Sequence, residues 1–151
     1  MNSGTREWNC ELSTIDTGLL LMGIIFSRNY FNLNIETENE IRTLAGKIID
    51  RLDWDFFEKP STGRFANSIS MGWKPEEGLH EMGWIGYNEA LFLYILAAGS
   101  GMKNVEAGYN TWISSYDWRT PYPNLSHAAF PPLFGHQFSH TFIDFRGLTD
   151  K

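Results

Sequence analysis

The first cluster of hydrophobic positions lies between Ser13 and Phe31, where Ser13-Thr14-Ile15-Asp16 leads into Leu19, Leu20, Leu21, Ile24, Ile25 and Phe26. A hydroxyl followed three residues later by an acid is a capping-box arrangement, so the pattern predicts a helix from Ser13 to about Tyr30-Phe31. It is apolar nearly all round, which predicts a buried helix. Asn32 and Asn34 mark a turn, and a second helix is expected from about Thr37 to Leu52. There Ile41, Leu44, Ala45, Ile48 and Ile49 recur at three and four with charges opposite. Such neighbours joined by a short connection form an antiparallel hairpin, one inner and one outer helix.

Helical periodicity stops between Asp53 and Gly86, a stretch that holds Pro60, Gly63, Gly72, Pro75, Gly78 and Gly83. A long loop or a small β-hairpin, with Ser68 to Trp73 as one arm, is expected there, and its aromatic residues make it a candidate cleft wall. Periodicity resumes in three further segments. The first runs from Asn88 to about Ala98, stopped by Gly99-Ser100-Gly101; the second from about Val105 to Tyr116; the third, after the proline-rich connection Pro121 to Pro132, from Phe134 to Arg146. The sum is an all-α fold built of helical hairpins, with the 53–86 stretch as its irregular insertion.

At 151 residues, 42% hydrophobic and 20% charged, the chain fits one globular domain over 1–151. A net charge of -6 without clustered Lys or Arg argues against nucleic acid or an anionic membrane as partner. Cys10 is the only cysteine, which excludes an intrachain disulfide or a cysteine metal cluster. Met1 to Glu11 lacks a signal-peptide core, and no stretch is long and apolar enough for membrane insertion. No cofactor is expected, and the oligomeric state is not readable.

Six Trp and 15% aromatic residues change the picture. A sugar ring has polar edges and C–H faces, so a glycan site combines flat apolar side chains with carboxylates and amides. Trp54 and Trp112 sit in helical patterns that assign them to the core. Trp73, Trp84 and Trp118 are flanked by Gly, Pro or charge, where core and ligand-facing roles weigh equally. Glu89, in Gly86-Tyr87-Asn88-Glu89-Ala90, follows the aromatic loop and is a candidate proton donor. Its ordinary role would be helix-terminus electrostatics, worth roughly 0.3–1 kcal/mol. That favours the ionised form, so desolvation by Tyr87, Trp84 and Phe92 would have to prevail for catalysis. Asp16 is the candidate second carboxylate, with helix capping as its equal alternative.

His136, His140 and Asp144 fall at i, i+4 and i+8, one face of a helix. The zinc-protease signature needs Glu after the first His, and Gln137 stands there, so no metal is assigned. A polar strip for sugar hydroxyls, with Gln137 and Arg146 nearby, competes evenly with histidines satisfied by backbone and an Asp144–Arg146 pair.

Several blocks in fixed order resemble the glucoamylase-like domain family. These are Ser13-Thr14-Ile15-Asp16-Thr17 with Leu19-Leu20-Leu21 and Gly23, Arg28-Asn29-Tyr30-Phe31, Arg51-Leu52-Asp53-Trp54, Gly72-Trp73-Lys74-Pro75-Glu76, Gly86-Tyr87-Asn88-Glu89-Ala90, and Pro132 to His140 running into Ile143-Asp144-Phe145-Arg146-Gly147. The family is similar to bacterial endo-β-1,2-glucanases and to the transglycosylating domain of cyclic β-1,2-glucan synthases. The resemblance implies an α/α toroid of helical hairpins, here partial because the chain is too short for a closed double ring. It implies a fragment lacking hairpins at one or both ends, or a degenerate relative. It also implies a periplasmic or extracellular place for full-length relatives and Glu89 as acid; Asp16, Trp73, Trp84, Tyr87, His136, Gln137, His140, Asp144 and Arg146 are the further candidates around an oligo- or polysaccharide. The expected function is glycoside hydrolysis or transfer on a β-glucan, and the alternative is a non-catalytic glycan-binding or structural remnant.

Overall fold

The computed structural model describes residues 5–149, so both ends of the expected 1–151 domain lie outside the described residues. Strand β1 (Leu12–Ser13) runs directly into helix α1 (Thr14–Tyr30), followed by α2 (Glu36–Ile49) and a 3-10 turn at Asp55–Phe57. Strands β2 (Gly72–Lys74) and β3 (Gly78–Leu79) come next, then helices α3 (Leu91–Gly99) and α4 (Val105–Ser114). Strands β4 (Trp118–Tyr122) and β5 (Leu125–Ala128) precede α5 (Leu133–Phe142).

Ser13 caps α1 as its spacing foretold: the Ser13 hydroxyl accepts from the Asp16 N–H at 3.3 Å. The connection to α2 is closed from the α2 side. The Glu38 carboxylate accepts from the Leu33 N–H at 2.6 Å, and the Arg42 guanidinium donates to the carbonyls of Phe31 and Leu33. These bonds satisfy chain-end groups that the helices leave open, which fixes the antiparallel hairpin. Only Thr14, Gly18, Leu21 and Met22 of α1 are buried, whereas Leu20, Phe26 and Tyr30 are more than 60% exposed. The fully buried helix read from composition is therefore corrected. Its apolar residues exceed the neighbours available to cover them.

The all-α class is also overturned, because two antiparallel sheets are present. In the first, β2 lies between β1 and β3, with Leu12 opposite Trp73 and Trp73 opposite Leu79. In the second, β4 pairs with β5, Trp118 opposite Ala128 and Tyr122 opposite Leu125, inside what read as a proline-rich connection. Pro121 does not prevent this, since a two-stranded ribbon has an outer edge where no ladder donor is needed. Asn124 adopts a φ of 65° at the tip, a conformation asparagine tolerates better than most residues.

The core centres on α3, whose Phe92, Leu93, Tyr94 and Ala97 are buried. Trp54, Ile69, Trp84, Met102 and Trp112 close around it, so the core roles read for Trp54 and Trp112 are met. Gly18 decides how near α1 can come. A Cβ there would overlap Leu93 Cδ2 and lie 2.7 Å from Phe92 Cε2, so only glycine permits this approach. Farther along, Leu21 and Ile25 share a cavity with Ile95, Leu96 and Gly99. The contacts advance in the same direction on both helices, so α1 and α3 run parallel and begin at the same end. No helix among the described residues is long and apolar enough to cross a membrane.

Candidate functional site

Glu89 sits in the turn that enters α3, not in the helix as its apolar sequel suggested, because helical geometry begins only at Leu91. The turn is held by Asn88, a nearly buried side chain. Its Oδ1 accepts from the Ala90 N–H at 2.9 Å, and its Nδ2 donates to the carbonyls of Ile85 and Gly86, each at 3.2 Å. An asparagine that bonds backbone on both sides of itself is a local clamp. The half-buried Glu89 leaves its Oε2 without solvent contact and without a hydrogen-bond partner among the described residues. Buried carboxyl oxygens are ordinarily satisfied. This one is left unpaired in the turn, as are the buried Trp54 Nε1 and Ser139 Oγ elsewhere among the described residues.

The first turn of α5 lies against the same spot. A Cβ at Gly135 would be 3.5 Å from the Glu89 nitrogen and would overlap the Phe130 ring, so the absence of a side chain lets α5 dock there. Next to Gly135, the His136 Nε2–H donates to the Phe130 carbonyl at 2.9 Å. That bond assigns a proton to Nε2, so that in the neutral ring Nδ1 is an acceptor. The Tyr87 ring is 5.0 Å from the imidazole and tilted by 33°. Tyr87 in turn meets Tyr116 edge-on at 5.7 Å, and Tyr116 meets Trp118 at 5.8 Å. Burial raises the Tyr87 phenol above its ordinary value, so it remains a neutral hydroxyl at physiological pH. His136, Tyr87, Tyr116 and Trp118 thus form one run of rings that begins beside Glu89.

The remaining expected residues divide by location. Asp16 is exposed in the first turn of α1, at the same end of the α1/α3 pair as Glu89. Trp84 is only 9% exposed, and its indole N–H donates to the Thr14 hydroxyl at 3.0 Å. Its face is covered, so it acts as a strut between α1 and the Glu89 loop and not as an open wall. Trp73 is half-buried in β2 with its ring 5.7 Å from Phe56, away from the Tyr87 run of rings. Gln137 and His140 are exposed on α5, and the His140 ring packs on Phe145 at 4.7 Å.

The helix ends at Phe142, so the i, i+4, i+8 strip breaks after His140 and Asp144 lies beyond it. Asp144 accepts two hydrogen bonds from the Arg146 side chain, at 2.8 and 2.7 Å. The guanidinium beside Asp144 holds its carboxyl below the usual range. With His140, this pair lines an open pocket of about 670 Å³ formed by residues 140–146 alone. Tyr87, Tyr116 and Trp118 line a different groove of about 1160 Å³. No three His, Cys, Asp or Glu side chains gather as a metal ion would require among the described residues. Thr14, Asn88 and Tyr116 were not singled out in the sequence. Asn88 and Thr14 each left a signal, their places within Tyr-Asn-Glu and Ser-Thr-Ile-Asp.

Residues 81–151 match the Glycoamylase family model, described as "Putative glucoamylase". That match includes Tyr87, Glu89 and the α5 residues; Asp16 and Trp73 precede it. Over 113 residues the chain is 23% identical to an exo β-1,2-glucooligosaccharide sophorohydrolase (non-reducing end) from Parabacteroides distasonis. The alignment takes in 72% of this chain and 15% of that relative, so the chain spans a small part of its length. No solved structure matches the chain.

Proposed function

We propose that this chain is part of a glycoside-hydrolase-type enzyme that hydrolyses or transfers glucosyl units of a β-glucan, with β-1,2-glucan the first candidate. The glucoamylase-like match and the relative's name support the class and the linkage. The observation that carries the reading is the Glu89 carboxyl, whose buried Oε2 has no hydrogen-bond partner among the described residues, in a turn whose backbone lies beside Gly135 of α5, with the neighbouring Tyr87 and His136 rings 5.0 Å apart.

Cleavage of a glycosidic bond needs a proton delivered to the leaving oxygen and a second carboxylate acting as base or nucleophile. Glu89 is assigned the proton transfer. Asp16 is assigned the second role, because it projects from the start of a helix parallel to α3. Tyr87 and the His136 ring present flat surface to a pyranose, and the His136 Nδ1 is an acceptor for a sugar hydroxyl. Gln137, His140, Asp144 and Arg146 are assigned to a peripheral polar surface on and after α5, and Trp84 to support.

The test is turnover of β-1,2-, β-1,3- and α-1,4-linked glucans by the full parent protein and by its Glu89→Gln variant. Gln keeps the shape of Glu without a transferable proton, so the rate should fall about 10²–10⁴-fold while glycan binding persists. A variant that retains the wild-type rate would refute the assignment. Binding without turnover in the wild-type protein would favour a glycan-binding remnant.

A further inference from the structure

Trp118 combines large exposure with a fixed position. Its side chain belongs to a residue 62% exposed on β4, yet the strand is paired along one side with β5. Trp118 pairs with Ala128 across the hairpin, and the Ala129 N–H donates to the Asp117 carbonyl at 2.7 Å. Tyr116 supports the ring from one side at 5.8 Å, and the Tyr116 hydroxyl is itself held by the Trp112 indole N–H at 2.8 Å. The Arg119 guanidinium is drawn onto Asp117 by two bonds at 2.9 and 2.7 Å. A flat apolar surface on a rigid mount has little conformational entropy to lose on binding.

The position of that surface indicates what it would bind. Trp118 shares the 1160 Å³ groove with Tyr87 and Tyr116; the groove is mostly apolar, and Glu106, Asn110 and Ser114 add polar side chains to its lining. Rings flanked by carboxylate, amide and hydroxyl groups suit a pyranose, whose C–H face and hydroxyl edge need both. Tyr87 stands two residues before Glu89, and Trp118 is two ring-to-ring steps, of 5.7 and 5.8 Å, removed from Tyr87.

We propose that Trp118, on the β4–β5 hairpin, is the stacking platform of an outer sugar subsite, one that engages a pyranose of a glycan chain leading away from Glu89. This rests on the glycan reading above and adds a length preference to it: the platform contributes to chains long enough to reach it and nothing to a disaccharide held beside Glu89.

The experiment is calorimetric titration of the full chain with β-1,2-, β-1,3- and α-1,4-linked glucooligosaccharides of two and of six units, for wild type, Trp118→Ala and Trp118→Phe. The expected result is that Trp118→Ala weakens six-unit binding roughly tenfold, the scale of one aromatic contact, leaves two-unit binding unchanged, and is largely rescued by Trp118→Phe. Equal loss at both lengths, no loss at either, or no binding of any six-unit glycan by the wild type would overturn it. Length-dependent loss in a protein that never cleaves glycan would uphold the subsite and remove the catalytic reading.

Discussion

The Trp84 indole N–H donates to the Thr14 hydroxyl at 3.0 Å, and that hydroxyl donates onward to the Ser70 carbonyl at 2.8 Å. One buried side chain, 1% exposed, thereby joins the first turn of α1 to the chain on either side of the 70–84 loop. Asp16 stands two residues after Thr14 and Glu89 five after Trp84, so the link holds the two candidate carboxylate segments in register. Thr14→Val keeps the shape but removes acceptor and donor together, stranding the Trp84 N–H. It should lower unfolding free energy by about 1–3 kcal/mol in urea denaturation, and Thr14→Ser should restore most of the loss.

Gly18→Ala puts a methyl group into Leu93 and the Phe92 ring. Overpacking of this kind costs about 1–3 kcal/mol and pushes α1 off α3. Gly23, exposed on the same helix with nothing within 4 Å of a built Cβ, is the control. Gly23→Ala should stabilise by roughly 0.5–1 kcal/mol through helix propensity. Opposite signs in thermal melts would support the close approach as the reason for glycine at 18.

Asp55 bridges the 3-10 turn to the segment before α4. Its Oδ1 accepts from the Lys103 N–H at 2.9 Å, and its Oδ2 is 3.0 Å from the Lys103 ammonium. The backbone bond foremost, then the side-chain bond, holds the carboxyl below its ordinary value. A depressed carboxyl contributes stability above its unfolded pKa, and that contribution disappears as pH falls through the folded one. Asp55→Asn should therefore lower the denaturation midpoint at neutral pH. The difference from wild type should shrink below about pH 4, the ordinary aspartate range. A difference constant from pH 7 to pH 2 would contradict the linkage.

Tyr94 donates to the Trp84 carbonyl at 2.7 Å and accepts from the Ile69 N–H at 3.4 Å, deep in the core. Tyr94→Phe should cost about 1–3 kcal/mol, since it leaves both buried backbone groups without this partner. Burial drives the phenol far above its ordinary value. Its contribution is present below about pH 10 and lost as pH rises toward the folded value. Alkaline tyrosinate absorbance should show Tyr94 ionising only with unfolding, and ionisation in step with exposed tyrosines would refute its burial.

Helix legibility followed local patterning. Ser13 to Phe31 and Thr37 to Leu52 read as helices within a few residues of α1 and α2, because three-and-four spacing and end signals are local properties. The β4–β5 hairpin was missed for a local reason too: Pro121 and Pro123 read as breakers, although an edge ribbon accepts them. The helical strip through Asp144 failed because α5 stops at Phe142, beyond which Asp144 pairs with Arg146.

The sequence by itself determined which segments are helical and that Glu89 lies among aromatic residues, since composition and periodicity are carried along the chain. Tertiary structure alone decided which aromatics stand near Glu89. Trp84 became a strut because Thr14, distant in sequence, accepts its N–H, while Trp73 went to the central strand of the first sheet, its ring against Phe56. Tyr87 and His136 came together because Gly135 lets α5 dock beside the Glu89 turn. Exposure of a ring depends on long-range packing, and no short window of sequence contains the partners that cover it or leave it bare.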